Sequence, residues 1–93
     1  MISYASIDRF EGEVAVCEVE LIPIENSKTT AFAEKETVMI DIPIDMLQLN
    51  MKKVEEGDII VVEHDGENVT KICGKDKKEK HRRIKLLKKI IGT

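Results

Sequence analysis

The feature that most constrains this chain is a switch in hydrophobic period at Gly74. Before it, apolar residues recur every second position in short runs broken by Gly and Pro. That is the period of half-buried β-strands. After it, Ile84, Leu87 and Ile91 fall at i, i+3 and i+7, with Leu86 and Ile90 widening the stripe. That is the period of one amphipathic helix. Gly92 stands where a helix C-cap belongs. The helix is expected over 76–91, about 24 Å long. With 93 residues in all, there is room for one small domain and not two.

Five strands are readable in the first part. Ile7 to Phe10 and Glu13 to Leu21 flank Glu11-Gly12, a turn in which Gly can take positive φ. In the second of these, Ala15, Cys17, Val19 and Leu21 share one face; Val14, Val16, Glu18 and Glu20 share the other. One face is fully apolar and the other only at its start, as in a barrel whose outside is partly covered. The third strand is Thr37 to Ile42. Pro43 ends it and can open a short helical turn through Asp45 to Leu49. Val54 to Asp58 turn the chain into a fourth strand, Ile59 to His64. Asp65-Gly66 is a strong hairpin signal before a fifth, Asn68 to Cys73, which Gly74 is expected to break. Ile22-Pro23-Ile24-Glu25 and Ile42-Pro43-Ile44-Asp45 are alike, and both read as strand exits. Residues 25–35 show no period and read as a long loop. The expected fold is mainly β: a small five-stranded antiparallel barrel, SH3-like or OB-like, over 1–74, with a C-terminal amphipathic α-helix over 75–93. The helix is expected to lay its apolar stripe across a barrel opening or over Val14 and Val16.

Charge follows the same division. Residues 75–93 carry nine basic and two acidic groups, a charge of +7. Residues 1–74 carry six basic and sixteen acidic groups, a charge of −10. The net −3 therefore conceals a bipolar chain. The basic residues that could bind an anion or a partner are Lys77, Lys80, Arg82, Arg83, Lys85, Lys88 and Lys89. Three uses compete. The helix can dock on its own acidic barrel or that of a second copy, with Ile84, Leu87 and Ile91 buried. It can bind phosphates of RNA or DNA. Or it can bind an anionic membrane or an acidic protein. Aromatics are limited to Tyr4, Phe10 and Phe32, which argues against a base-stacking platform and an interfacial helix. Docking is the leading expectation.

Enzyme signatures are absent from the sequence: it has no Gly-rich phosphate loop, no G-x-S-x-G and no H-E-x-x-H. No catalytic, metal or cofactor residue is indicated. His64, beside Glu63 and Asp65, reads as a solvated turn, and His81 as a surface residue. Asp8 and Arg9 are adjacent in a strand, so one should face inward. Cys17 and Cys73 read as two buried, reduced thiols, which suits a cytoplasmic protein. The N-terminus does not read as a signal peptide, and no run approaches the roughly 18 apolar residues of a membrane span.

The stretch Ile7-Asp8-Arg9-Phe10-Glu11-Gly12-Glu13-Val14-Ala15-Val16 resembles the opening of the domain of unknown function 3006 family, short bacterial proteins that begin with an "IDRFEG" hairpin. Asp41-Ile42-Pro43 with Met46-Leu47, Glu56-Gly57-Asp58 and the charged segment Lys75 to Ile91 resemble its later pieces. Two departures stand out: residues 22–36 are longer than the family's usual connection, and the terminal helix is more one-sidedly basic. The resemblance implies a small Gram-positive-type bacterial protein, at times an accessory to larger enzymes. It implies no activity. The resulting expectation is a non-enzymatic binding or accessory domain whose partner is protein, its own copy or a larger enzyme. A nucleic-acid-binding module is the alternative.

Overall fold

The computed structural model describes residues 1–27, 35–49, 51 and 53–91, of which 89–91 as backbone only. The elements are β1 (Ile2–Glu11), β2 (Val14–Glu20), α1 (Ile24–Ser27), β3 (Thr37–Pro43), α2 (Ile44–Gln48), β4 (Ile59–His64), β5 (Val69–Lys75) and α3 (Lys77–Ile91). The strands form one antiparallel sheet in the order β3-β2-β1-β4-β5. The mainly β class and the terminal helix stand as expected. Barrel closure does not: β3 and β5 are the two edges and do not pair with each other.

Alternation decides the two faces of this sheet. Ala5 and Ile7 of β1, Ala15, Cys17 and Val19 of β2, Ile40 and Ile42 of β3, Ile60 and Val62 of β4 and Ile72 of β5 gather on one face. Leu47 of α2 closes over them, with Phe10, Val38, Met46, Met51, Val54 and Val69 at the margin. Pro43 ends β3 and, at φ −56°, starts α2, since its ring presets the helical φ. Pro23 similarly leads into α1, its carbonyl accepting from the Asn26 and Ser27 amides. Both prolines are strand exits, and both feed a short helix. α1 replaces part of the loop expected over 25–35; residues 28–34 lie outside the described residues.

Bulges account for the main local departures. The register of β1 on β2 steps from Ile7↔Cys17 to Arg9↔Val16, so Asp8 is an extra residue. Asp8 and Arg9 are therefore both exposed, paired with each other and, through Arg9, with Glu11; neither faces inward. β4 and β5 step from Val61↔Gly74 to Val62↔Ile72, leaving Cys73 extra and exposed. Gly74 does not break β5. Its φ of 147° lets the strand run on to Lys75, a backbone state closed to most side chains. No helix among the described residues is long and apolar enough to cross a membrane.

Candidate interaction surface

The sheet face away from the core is where α3 lies. Asp76 opens the helix by accepting from the Glu79 amide at 2.9 Å, an N-cap bond. The Asp76 amide donates to Ile59 carbonyl at 2.8 Å, which ties the helix start to β4. From there α3 is held by charges more than by apolar burial. Glu79, only 2% exposed, accepts from Arg82 Nε and Arg83 Nε, each at 2.7 Å. Arg83 Nη2 lies 2.8 Å from Glu20 Oε2 on β2, and its guanidinium stacks 5.2 Å from the centroid of the buried Tyr4 ring. Lys80 Nζ donates to Asp58 Oδ1 at 2.8 Å, and Lys75 stands 3.6 Å from the same carboxylate. The Tyr4 hydroxyl donates to Asp76 at 3.3 Å.

Under Arg83 sits a second layer of the same network. Ser27 Oγ donates to Glu20 Oε1 at 2.6 Å, and Lys35 Nζ donates to Ser27 Oγ at 3.1 Å. Glu20, Ser27 and the side chain of Lys35 are all nearly inaccessible. The electrostatics show the cost and its compensation. Burial pushes the Glu79 carboxyl up, but the two guanidinium hydrogen bonds outweigh it and hold it at about 2. Burial likewise works against the charge of Asp58, yet the Lys80 ammonium and the Glu55 amide keep it below the usual range. Burial lowers Lys35, against the pull of Glu20.

The seven basic residues singled out in the sequence thus divide. Lys80, Arg82 and Arg83 are occupied by acids of their own chain. Lys77, Lys85 and Lys88 are exposed. Lys89 lies in α3, its side chain outside the described residues. The apolar stripe does not behave as expected. At about 100° per residue, Glu79, Arg83 and Leu86 line the side turned to the sheet. Ile84 and Leu87 sit to one flank, 40% and 52% exposed, and line a groove with Ser6, Glu18 and Ile59, not with the Val14 and Val16 of the expectation. Ile91 and the C-cap reading at Gly92 fall outside the described side chains and residues respectively. The reason is that the buried Glu20 and Glu79 need Arg83 between them, so the ion pairs and not the apolar stripe orient the helix.

A groove of about 780 Å³ results on that flank. Its wall is Ile84 and Leu87 beside Lys80 and Arg83, its floor Ser6, Ile59 and Glu18, its end Glu56-Gly57. Ser6 pairs with Ile59 and with Glu18, and Glu18 with Met39, so the floor is one cross-strand row. Met39 continues it at 50% exposure. A smaller basin of 320 Å³ lies at the helix start among Lys53, Lys75, Lys77 and His81.

His64 departs most from its sequence reading. It is 3% exposed, not solvated. Gly66 amide donates to Nδ1 at 3.0 Å, so Nε2 carries the proton and donates to Ser3 Oγ at 2.9 Å. Ser3 in turn donates to the Ile22 carbonyl at 2.7 Å. Nε2 thus ties the end of β4 to the chain start through Ser3, and Nδ1 fixes the turn after β4 through Gly66. Cys17 is buried, its thiol pushed up to about 12 by burial and then by Asp41. Cys73 is exposed, which corrects the expectation that both thiols are buried. Among the described residues, no three His, Cys, Asp or Glu side chains come together as a metal site.

Sequence reasoning missed Glu20, Asp58, Ser27 and Lys35. A carboxylate on a strand's outer face, such as Glu20, and polar residues at turns and loops, such as Ser27, Lys35 and Asp58, read as solvated, and only the tertiary structure reveals otherwise. The one available signal was Val14 and Val16 beside Glu18 and Glu20, which marks that face as partly covered. Comparisons with family models, curated proteins and solved structures find no match to this chain.

Proposed function

We propose that this protein is a non-enzymatic bacterial, cytoplasmic binding module of the domain of unknown function 3006 type, which engages protein partners through the groove beside α3. The observation that carries this reading is the exposure of Ile84 and Leu87, 40% and 52%, on the wall of a 780 Å³ groove. A helix held to its domain by ion pairs leaves its apolar flank available, and such a flank bordered by charge is the usual character of a recognition surface. The resemblance of Ile7 to Val16 to the family's opening hairpin supports an accessory role beside a larger enzyme.

The test is selection of displayed helical peptides against the immobilised protein, with Leu87→Glu as counter-target. Peptides that bind the native chain, are refused by the variant and shift the amide resonances of Ile84, Leu87 and Ser6 support the module. Selection of nothing, or peptides that bind both forms equally, overturns it.

A second reading rests on one further observation: Lys77, Lys78, His81, Lys85 and Lys88 are exposed along the side of α3 turned away from the sheet. This ridge suits phosphates of RNA or DNA. Affinity for mixed-sequence RNA and DNA that is measurable at about 50 mM salt and falls steeply by about 200 mM is the expected sign. No binding at the lower salt removes this reading.

A further inference from the structure

α3 presents three lengthwise strips. Glu79, Arg83 and Leu86 face its own sheet. Ile84 and Leu87 form the half-exposed flank. Opposite the docked strip run Lys77, His81, Lys85 and Lys88, all exposed. Beside the helix, the uncovered part of the sheet carries carboxylates: Glu18 in the groove floor, Glu56 at its end and Asp41, which pairs with Val16 on the next row. Glu18, Asp41 and Glu56 make no hydrogen bond or ion pair through their side chains among the described residues. Cationic ridge and acidic floor are complementary, yet they cannot meet within one chain, because the ridge points away from its own sheet.

This arrangement names its occupant by charge. A purely acidic segment would satisfy the ridge but meet Glu18 and Glu56 below. A purely basic one would be repelled by the ridge. A partner must bring an apolar strip flanked by cations on one side, and an acidic sheet face on the other. This chain has both. We propose that the groove is filled by a second copy of the same chain, in an isologous two-fold pair. The two α3 helices then run antiparallel between the two sheets. Ile84 and Leu87 of each pack on their counterparts, and Lys85 and Lys88 of each face Glu18 and Asp41 of the other copy. A two-fold rotation makes every such contact twice, so a modest patch gains doubled complementarity. The inference deepens the module reading and rests on the same groove.

Sedimentation equilibrium of the full chain tests it. The expected result is a dimer at about 100 µM in low salt, with dissociation strengthened about tenfold or more at high salt, as the solvent-accessible charge pairs at its rim are screened. Leu87→Glu should weaken pairing at least about tenfold with the melting temperature little changed, since this side chain is half exposed. Glu18→Lys should weaken it too, and Glu18→Lys combined with Lys88→Glu should restore it, an outcome that loss of folding cannot imitate. A chain that stays monomeric up to about 1 mM at low salt, or a Leu87→Glu variant that pairs like the native chain, overturns the proposal. If the native chain is monomeric while peptides are still selected at the groove, self-pairing fails and the module reading stands.

Discussion

Glu79 shows what a single residue carries here. It is buried on a helix of otherwise basic character, and two arginines claim it at 2.7 Å. Unfolded, its carboxyl titrates near 4.5; folded, it is held at about 2. Its folded value is the lower one, so its stabilisation is complete above about 4.5 and drains away as pH falls toward 2. Urea midpoints measured from pH 6 down to about 2 should fall steeply for the native chain, and Glu79→Gln should start lower and fall less. His64 acts in the same sense in a higher range. Burial, and then the nearby N-terminal ammonium, lower its imidazole below 6.5. Stability it contributes is present above 6.5 and is lost as pH falls below that value. Nitrogen chemical shifts of the ring should show the Nε2–H tautomer at neutral pH. Ser3→Ala should remove about 1–3 kcal/mol by leaving Nε2–H and the Ile22 carbonyl unsatisfied.

Among elements, α3 and β5 are the ones the structure redefines. Two ion pairs hold α3, and they differ in burial. Arg83 sits between Glu79 and Glu20 with its side chain 13% exposed. Lys80 meets Asp58 with its side chain 28% exposed. Arg83→Met leaves buried Glu79 to Arg82 alone and Glu20 to Ser27 and Lys35, and should cost about 1.5–3 kcal/mol. Lys80→Met leaves Lys75 beside Asp58 and should cost about 1 kcal/mol or less. Chemical denaturation of the two variants separates these outcomes; equal costs would show that the Glu20–Arg83–Glu79 layer does not anchor the helix. In β5, a Cβ at Gly74 would meet nothing within 4 Å, so any penalty is backbone strain at φ 147°. Gly74→Ala should lose about 1–3 kcal/mol without loss of core packing. Most strands were readable because alternation survives along much of their length; β1 was read only over Ile7 to Phe10 but begins at Ile2, and the bulge at Asp8 interrupts its period. Gly74 misled for a physical reason: the same residue type serves to stop a strand and to carry it through a bulge.

At the scale of the molecule, the charge division of the sequence becomes a division of labour. Part of the +7 segment is spent on docking, through Lys80 and Arg83, with Arg82 closing on Glu79 of the same helix, and part stands outward on Lys77, Lys85 and Lys88. Removing residues 76–93 would uncover Tyr4 and Ile59, now 2% and 4% exposed. At about 1.5–3 kcal/mol for each such side chain, the loss is a large share of the 5–15 kcal/mol typical of a domain. The truncated chain should therefore melt at a markedly lower temperature than the full one. A melting temperature unchanged by truncation would mean that the sheet and α2 suffice. Local sequence determined the β class, the five strands, the proline exits, the terminal helix and the segregation of charge, because periodicity and turn chemistry act between near neighbours. Tertiary structure alone decided that the sheet stays open, that Glu20, Glu79, Asp58 and His64 are buried, and that α3 turns its ion pairs inward and its apolar flank out. Those outcomes depend on which distant groups can satisfy a desolvated charge, and no spacing along the chain encodes that.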